Sequence, residues 1–236
     1  MIGRAKLIYA FFALAVFAGA GVTAIVLRES TSLHPIATFT TDLAPRSVEQ
    51  KYNIARAAAR LDGIMVKPGA EFSFNRTVGQ CGVEQGYELA PAIVAGEMRK
   101  SWGGGVCQVS STLYNAALLA DLKITERRAH SRGVSSVPPG RDATTAFGIA
   151  DLRFVNTTGA LVRIRAAIIG SRLTIGLMGE SRARPDVAIV TENSGGAGHQ
   201  TVIAYRVIHS PGGEERRELI STDTYLGAAA SPATTR

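Results

Sequence analysis

The sequence predicts an α+β fold, because its helical and strand-like patterns occupy different parts of the chain. A long apolar stretch comes first, and two segments with helical periodicity follow it in the first half of the chain. From Asp151 onward, short runs rich in Val, Ile and Leu alternate with turn residues, a pattern typical of antiparallel strands. We therefore expect an N-terminal transmembrane helix, then two helices packed on a mainly antiparallel β-sheet, and a C-terminal β-hairpin.

The apolar stretch from Leu7 to Leu27 contains no charged residue and is long enough for a helix to cross a hydrocarbon core of about 30 Å. Arg4 and Lys6 precede it, so residues 1–27 are interpreted as a cytoplasmic tip and a signal anchor. A cleaved signal peptide, with Ala18-Gly19-Ala20 at the cleavage site, is the alternative. The length of the apolar stretch favours the anchor, and hence a single-pass protein of the cell membrane whose bulk is extracytoplasmic.

Residues 28–45 are polar and mixed in character, which favours a membrane-proximal linker. The domain predicted at residues 46–180 begins with a capping box, because Ser47 is followed three residues later by Gln50. The first helix follows that box, and the second helix starts directly after Gly103-Gly104-Gly105.

The C-terminal part continues in strand style. Residues 181–226 contain further strand-like runs with a turn at Pro211-Gly212-Gly213, which predicts a β-hairpin extension. Residues 227–236 are rich in Ala, Ser, Pro and Thr, and this composition predicts a disordered tail.

The formal net charge of +7 favours anionic partners. Lysines and arginines are scattered, and no nucleic-acid motif is present, so binding to nucleic acid is not expected. A membrane surface or an anionic cell-wall polymer is the better candidate. The two cysteines and four histidines match no zinc spacing, and the glycine run lacks the lysine of a P-loop, so we expect neither a metal nor another cofactor. The sequence does not indicate an oligomeric state.

Cys107 stands where the glycine run meets the start of the second helix. This position predicts a reactive thiolate, since the helix dipole and unpaired backbone N–H groups favour the charged form of the sulfur. A buried structural cysteine is one alternative. A disulfide with Cys81, the other cysteine of the chain, is a second.

Several long stretches of the chain resemble one known family. They are Tyr52–Gly79, Gly86–Ile93, Gly103–Leu122 (GGGVCQVSSTLYNAALLADL), Glu126–Ser131 (ERRAHS), Val137–Thr144 (VPPGRDAT) and Asp151–Ile164. These stretches resemble the VanW family, named for an accessory protein of vancomycin-resistance gene clusters. Some family members are regarded as peptidoglycan L,D-transpeptidases with a cysteine nucleophile, and the resemblance places that role on Cys107. Relatives usually lack a cysteine at the position of Cys81, which counts against a shared disulfide.

Acyl transfer by a cysteine also needs a base and donors for the developing oxyanion. His130 is the candidate base because it lies in the stretch ERRAHS, and Asp142 is the candidate that orients it. An ordinary salt bridge of Asp142 with Arg141 or Arg128 is the alternative. The backbone N–H groups of residues 105–108 are the candidate oxyanion donors. The residues predicted to bind substrate or the oxyanion are Gly104, Gly105, Gln108, Ser110, Ser111, Arg128 and Arg141.

Three functional hypotheses remain open at this point. The first is an envelope-facing, membrane-anchored cysteine acyltransferase that acts on peptidoglycan stem peptides through a thioester. The second is a non-catalytic wall-binding or accessory protein associated with glycopeptide resistance, such as resistance to vancomycin. The third is a redox or structural role for the two cysteines.

Overall fold

Strands predominate in the computed structural model, which describes residues 33–94, 96–180, 186–196, 198–210 and 212–227. Within these residues there are three helices, α1 (Val48–Leu61), α2 (Phe74–Val78) and α3 (Val106–Leu119). The twelve strands of the same residues are β1 (His34–Asp42), β2 (Met65–Val66), β3 (Glu71–Ser73), β4 (Leu89–Val94), β5 (Glu97–Trp102), β6 (Lys123–Glu126), β7 (Arg153–Val155), β8 (Val162–Ile169), β9 (Arg172–Gly179), β10 (Asp186–Gly196), β11 (His199–His209) and β12 (Glu215–Leu226).

The strands of the described residues form four sheets in which all neighbours are antiparallel. The largest sheet has the order β1-β9-β8-β2. A second joins β10, β11 and β12, a third has the order β3-β7-β6, and β4 and β5 form a hairpin. The pairing of β1 with β9 joins distant parts of the chain, with His34 opposite Gly179 and Asp42 opposite Arg172.

The predicted arrangement of two helices on one sheet, followed by a hairpin, is wrong. The strands are divided among several sheets, α2 is an additional helix, and β10 to β12 form a three-stranded sheet instead of a hairpin. The strand β1 lies within the stretch predicted to be a linker. Its sequence, HPIATFTTD, becomes a strand because β9 supplies backbone partners that no local pattern reveals.

The prediction of a transmembrane helix, and with it of a single-pass membrane protein, is also wrong for the described part of the chain: none of the helices there is long and apolar enough to cross a membrane. The stretch that suggested the span, residues 7–27, lies outside the described residues, as do residues 228–236 of the predicted tail. The described contacts hold together one compact unit that begins at His34.

Helix α3 is the centre of the core. Nearly all of its residues are buried, and it packs against α1, β1 and β9. Its sequence explains this position, because leucine, alanine and small hydroxyl residues leave it without a charged face. Helix α1 begins at the predicted capping box, which the structure confirms: the Ser47 hydroxyl accepts the Gln50 N–H, and the Gln50 side chain accepts the Ser47 N–H.

Asn53 joins α1 to the hairpin and to the glycine run. Its side chain is completely buried, and its Nδ2 donates to the carbonyl oxygens of Glu88 at 2.9 Å and Gly104 at 3.0 Å. Its Oδ1 accepts the Glu88 N–H at 2.8 Å. One amide side chain therefore fixes both ends of the β4–β5 hairpin relative to α1.

Replacing Asn53→Ala should lower the free energy of unfolding by about 1–3 kcal/mol, because the backbone groups of Glu88 and Gly104 lose their partner. The matched control is Lys51→Ala on the exposed side of the same helix, which should change that free energy by about 0.5 kcal/mol or less. Urea unfolding of the two variants measures both values. Equal stabilities would show that the Asn53 bonds do not hold the hairpin in place.

Candidate active site

The three glycines that precede α3 place Cys107 at the start of the helix. Gly103 and Gly105 have φ angles of 73° and 100°, which side chains rarely adopt. A Cβ on Gly104 would lie 2.4 Å from the carbonyl oxygen of Ala90. The run therefore turns tightly against β4, and Cys107 becomes the second residue of α3.

Cys107 is a half-buried residue, and its sulfur lies against the backbone of Thr145. The Thr145 N–H donates to Sγ at 3.5 Å, and the Thr145 carbonyl oxygen lies 3.5 Å from the same sulfur. Thr145 is a residue that the sequence did not predict. No sequence pattern indicates Thr145, because its main contacts with the sulfur are made by the backbone. Its side-chain oxygen lies 3.9 Å from the sulfur.

His130 and Asp142 lie in series beside Cys107, and a hydrogen bond joins the histidine to the aspartate. The Asp142 Oδ2 lies 2.6 Å from the His130 Nδ1 and also accepts the His130 backbone N–H at 2.7 Å. The His130 ring lies close enough to Cys107 to shift the pKa of its thiol, and because Asp142 engages Nδ1, Nε2 is the ring nitrogen that remains for the sulfur. The structure thus brings the three predicted catalytic residues together in the order nucleophile, base and orienting carboxylate.

The electrostatics of the series favour an ion pair. Burial would raise the pKa of the Cys107 thiol, but the neighbouring His130 ring and the contacts with Thr145 lower that pKa below its ordinary value. Burial would lower the pKa of His130, but Asp142 and Cys107 raise it to about 9. The two shifts favour the form of the pair in which the shared proton lies on the imidazole and the sulfur is charged.

The Asp142 carboxylate is completely buried and fully engaged. Its Oδ1 accepts the Tyr225 hydroxyl at 2.5 Å and lies 3.1 Å from the Arg127 Nη2. Burial would raise the pKa of Asp142, but the hydrogen bonds from His130 and Tyr225 and the charge of Arg127 hold it below its usual range. Arg127 also pairs with Asp223 at 2.5 Å.

Tyr225 and Asp223 belong to β12, far from Asp142 in the sequence. Nothing in the local pattern around Asp142 indicates that a C-terminal strand would supply its partners. Neither residue was therefore predicted from the sequence.

Ser110 and Ser111 do not face the surface. Both are completely buried, and the Ser110 hydroxyl donates to the Ala143 carbonyl oxygen at 2.7 Å. The Ser111 hydroxyl donates to the Cys107 carbonyl oxygen at 2.7 Å and accepts the Ala143 N–H at 3.0 Å. These serines fasten the segment that carries Asp142 to α3, so they position the site and do not line it.

The Gln108 side chain also makes hydrogen bonds within the protein. Its Nε2 donates to the Thr41 hydroxyl at 3.0 Å and to the Asp42 carbonyl oxygen at 2.9 Å. Its Oε1 accepts the Arg46 Nε at 2.6 Å. The Gln108 side chain therefore ties α3 to β1.

Neither of the arginines predicted to bind substrate lines the cavity beside Cys107. Arg141 donates to the Asn115 Oδ1 at 2.6 Å and lies over the ring of Phe39. Arg128 has an exposed side chain, and its carbonyl oxygen accepts the Thr144 N–H at 2.8 Å. The arginine that does line the cavity is Arg46, which the sequence did not single out.

Two of the predicted oxyanion donors are available. Gly104 N–H donates to Ser101, Val106 N–H to Gly103, and Gln108 N–H to Gly105, so these groups are engaged. The N–H groups of Gly105 and Cys107 donate to no acceptor among the described residues. These two groups therefore remain able to donate to a substrate oxygen, which is what an oxyanion hole requires.

An open cavity of about 780 Å³ reaches Cys107 and His130. One part of its wall is apolar and comes from the β4–β5 hairpin and the loop before β7. The main apolar lining residues are Ile93, Met98, Trp102, Phe147 and Ile149. The polar part includes Arg46, Gln50, Ser135 and Ser136. The described residues contain no group of three or more metal-binding side chains that could hold a metal ion.

Cys81 also lines this cavity, but its chemistry differs from that of Cys107. Both cysteines are free thiols, so no disulfide joins them in the structure. Burial raises the pKa of the Cys81 thiol, and the nearby Cys107 adds to that effect. The pKa values of the two thiols therefore shift in opposite directions, and Cys81 is the less acidic of the two.

The described residues thus form a strand-rich domain with a cysteine, a histidine and an aspartate beside an open cavity, the class of site used for covalent catalysis by cysteine. The family model described as VanW like protein matches residues 49–178, more than half of the chain, and the chain belongs to the VanW family. This confirms the resemblance seen in the sequence.

Curated relatives show the same similarity. "Uncharacterized protein YoaR" of Bacillus subtilis (strain 168) is 45% identical over 128 residues, which cover 54% of this chain and 42% of that protein. "Vancomycin B-type resistance protein VanW" of Enterococcus faecalis (strain ATCC 700802 / V583) is 32% identical over 120 residues, which cover 48% of this chain and 43% of that protein. The chain therefore matches less than half the length of either relative. No solved structure is significantly similar to the chain.

Iodoacetamide should modify Cys107 at least about tenfold faster than Cys81 at pH 7, because the thiolate is the nucleophilic form. Mass spectrometry of peptides from a timed reaction measures both rates. The variants Cys107→Ser and Cys81→Ser assign each rate to its residue. Equal rates, or faster modification of Cys81, would contradict the ion pair.

Replacing Asp142→Asn removes the negative charge that stabilises the His130 imidazolium, so the proton should return to the sulfur. We expect the alkylation rate of Cys107 to fall about tenfold at pH 7. The wild-type imidazolium is present below its pKa of about 9 and is lost above it. The rates of the two proteins should therefore converge at more alkaline pH.

Asp223→Asn is the matched control, because Asp223 binds the same Arg127 but not His130. It should change the alkylation rate much less than Asp142→Asn does. An Asp142→Asn rate that equals that of the wild type at pH 7, or that stays low at alkaline pH, would contradict the assignment.

Proposed function

We propose that this protein is a cysteine acyltransferase that acts on peptidoglycan stem peptides in the manner of an L,D-transpeptidase. The observation that carries the proposal is the placement of Cys107 and His130 together in the wall of an open cavity, with the His130 ring held by the buried Asp142. A low-pKa thiolate with an adjacent imidazolium is the chemical requirement for attack on an amide and protonation of its leaving group.

The first half of the reaction forms a thioester. The Cys107 thiolate attacks the amide carbonyl carbon, a C–S bond forms, and the electron pair of the carbonyl moves to its oxygen. The N–H groups of Gly105 and Cys107 are placed to bind this oxyanion. When the carbonyl re-forms, the C–N bond breaks and the His130 imidazolium gives its proton to the departing amine.

The second half transfers the acyl group. An acceptor amine attacks the thioester carbon while neutral His130 takes one of its protons. The C–S bond then breaks, so that a new amide is released and the thiolate–imidazolium pair is restored. Water in place of the amine gives hydrolysis by the same steps.

The family and the charge of the site support a cell-wall substrate. Membership of the VanW family links the chain to a relative whose name records vancomycin B-type resistance. The net charge of +7, and a cavity that no described aspartate or glutamate lines, suit an acidic polymer. Since the chain spans less than half of each relative, the activity of those whole proteins is not assumed for it.

The second candidate is a non-catalytic accessory protein that binds cell wall in connection with glycopeptide resistance. The cavity favours this candidate independently of the thiol, because Trp102 and Phe147 line it and are respectively 42% and 57% exposed. Large exposed aromatic side chains in a concave site are suited to ligand binding without chemistry.

Incubation of the protein with purified cell-wall sacculi and stem tetrapeptides, followed by mass spectrometry of the muropeptides, separates the two candidates. The wild type should change the cross-links, whereas Cys107→Ala should lose about 1,000-fold or more of that activity. Cys81→Ala is the matched control and should keep it. Activity that survives Cys107→Ala would overturn the proposal. A wild type that binds sacculi without changing them would favour the accessory role.

A further inference from the structure

Arg46 lies in the turn between β1 and α1 and lines the same cavity as Cys107. Its backbone N–H donates to the Leu43 carbonyl oxygen at 3.0 Å, which holds the turn. The side chain is partly buried. This arginine lies outside the stretch that matches the family model, which begins at residue 49.

The Arg46 guanidinium is fixed by neutral partners. Its Nε donates to the Gln108 Oε1 at 2.6 Å, and its Nη2 donates to the Ser135 hydroxyl at 3.1 Å. Because Gln108 directly follows Cys107, these bonds hold the cation at a set position relative to the sulfur. The Nη1 has no acceptor among the described residues, so donors remain for a ligand.

The charge of Arg46 is not compensated. No carboxylate of the described residues lies within ion-pair distance of its guanidinium, and burial lowers its pKa more than Asp42 raises it. The cavity has no described acidic residue in its wall. A partly buried cation without a counter-ion favours the binding of an anion, and a guanidinium fits the two oxygens of a carboxylate.

We propose that Arg46 binds the C-terminal carboxylate of the stem peptide and so selects peptides with a free carboxyl end. This inference rests on the proposed function for the choice of peptide, and it gives to Arg46 the substrate binding that was predicted for Arg128 and Arg141. The neutral bonds to Gln108 and Ser135 orient the guanidinium without neutralising it, which leaves its charge available to the substrate.

The test compares a synthetic stem tetrapeptide that ends in a free carboxylate with the same peptide ending in a carboxamide. Binding of both to the Cys107→Ser protein is measured by calorimetry, which requires no turnover. We expect the carboxylate peptide to bind about 10- to 100-fold more tightly than the carboxamide. Arg46→Gln should reduce the ratio of the two affinities to about 1 and leave the affinity for the carboxamide unchanged. Arg46→Lys should keep part of the preference for the carboxylate.

Arg128→Gln is the matched control, because it removes the same charge from an exposed position outside the cavity. It should keep the full preference for the carboxylate. Loss of affinity for both peptides in Arg46→Gln would show that the residue only supports Gln108, and would overturn the inference. Equal binding of the two peptides by the starting protein, or binding of neither, would also overturn it.

The same peptides distinguish a failure of this inference from a failure of the proposed function. If the preference for the carboxylate depends on Arg46 but the wild type shows no turnover, the carboxylate-binding role of Arg46 is supported and the acyltransferase activity is rejected. If turnover depends on Cys107 but the two peptides bind equally well, the acyltransferase activity is supported and the role of Arg46 is rejected.

Discussion

The buried carboxylate of Asp142 is the interaction on which the site and its surroundings depend. One of its oxygens holds the His130 ring and backbone, and the other holds Tyr225 and Arg127. A buried charge is costly unless hydrogen bonds compensate for it. Here the donors are His130 and Arg127, which follow β6, and Tyr225 of β12. The same carboxylate therefore orients the imidazole and attaches β12 to the loop that carries it.

The charges around this carboxylate alternate along a series. In the ion-pair form of the site, the Cys107 thiolate is followed by the His130 imidazolium, the Asp142 carboxylate, the Arg127 guanidinium and the Asp223 carboxylate. Burial opposes the charged forms of the cysteine and the histidine, so the ion pair is favoured only because each charge has an opposite neighbour. The reactivity of the sulfur is in this sense a property of the whole series, which ends in the C-terminal sheet.

Local signals in the sequence were sufficient for local features. The capping box of α1 and the start of α3 behind the glycines follow from short patterns, and the structure contains both. The pairing of β1 with β9 and the contact of Tyr225 with Asp142 join segments far apart in the chain, where no short pattern records the partner. The VanW resemblance pointed to His130 because it supplied information that local patterns lack.

Residue type alone also failed to separate binding groups from packing groups. Ser110 and Ser111 lie one helical turn from the nucleophile, where a hydroxyl group is also suited to binding a substrate. Their hydrogen bonds with the Ala143 backbone show that they instead attach the Asp142 segment to α3. Cys81 and Cys107 line one cavity with the same functional group, and a histidine bound to only one of them gives their thiols opposite pKa shifts. A nucleophile is thus defined by its neighbours, and those neighbours become visible only when the chain is folded.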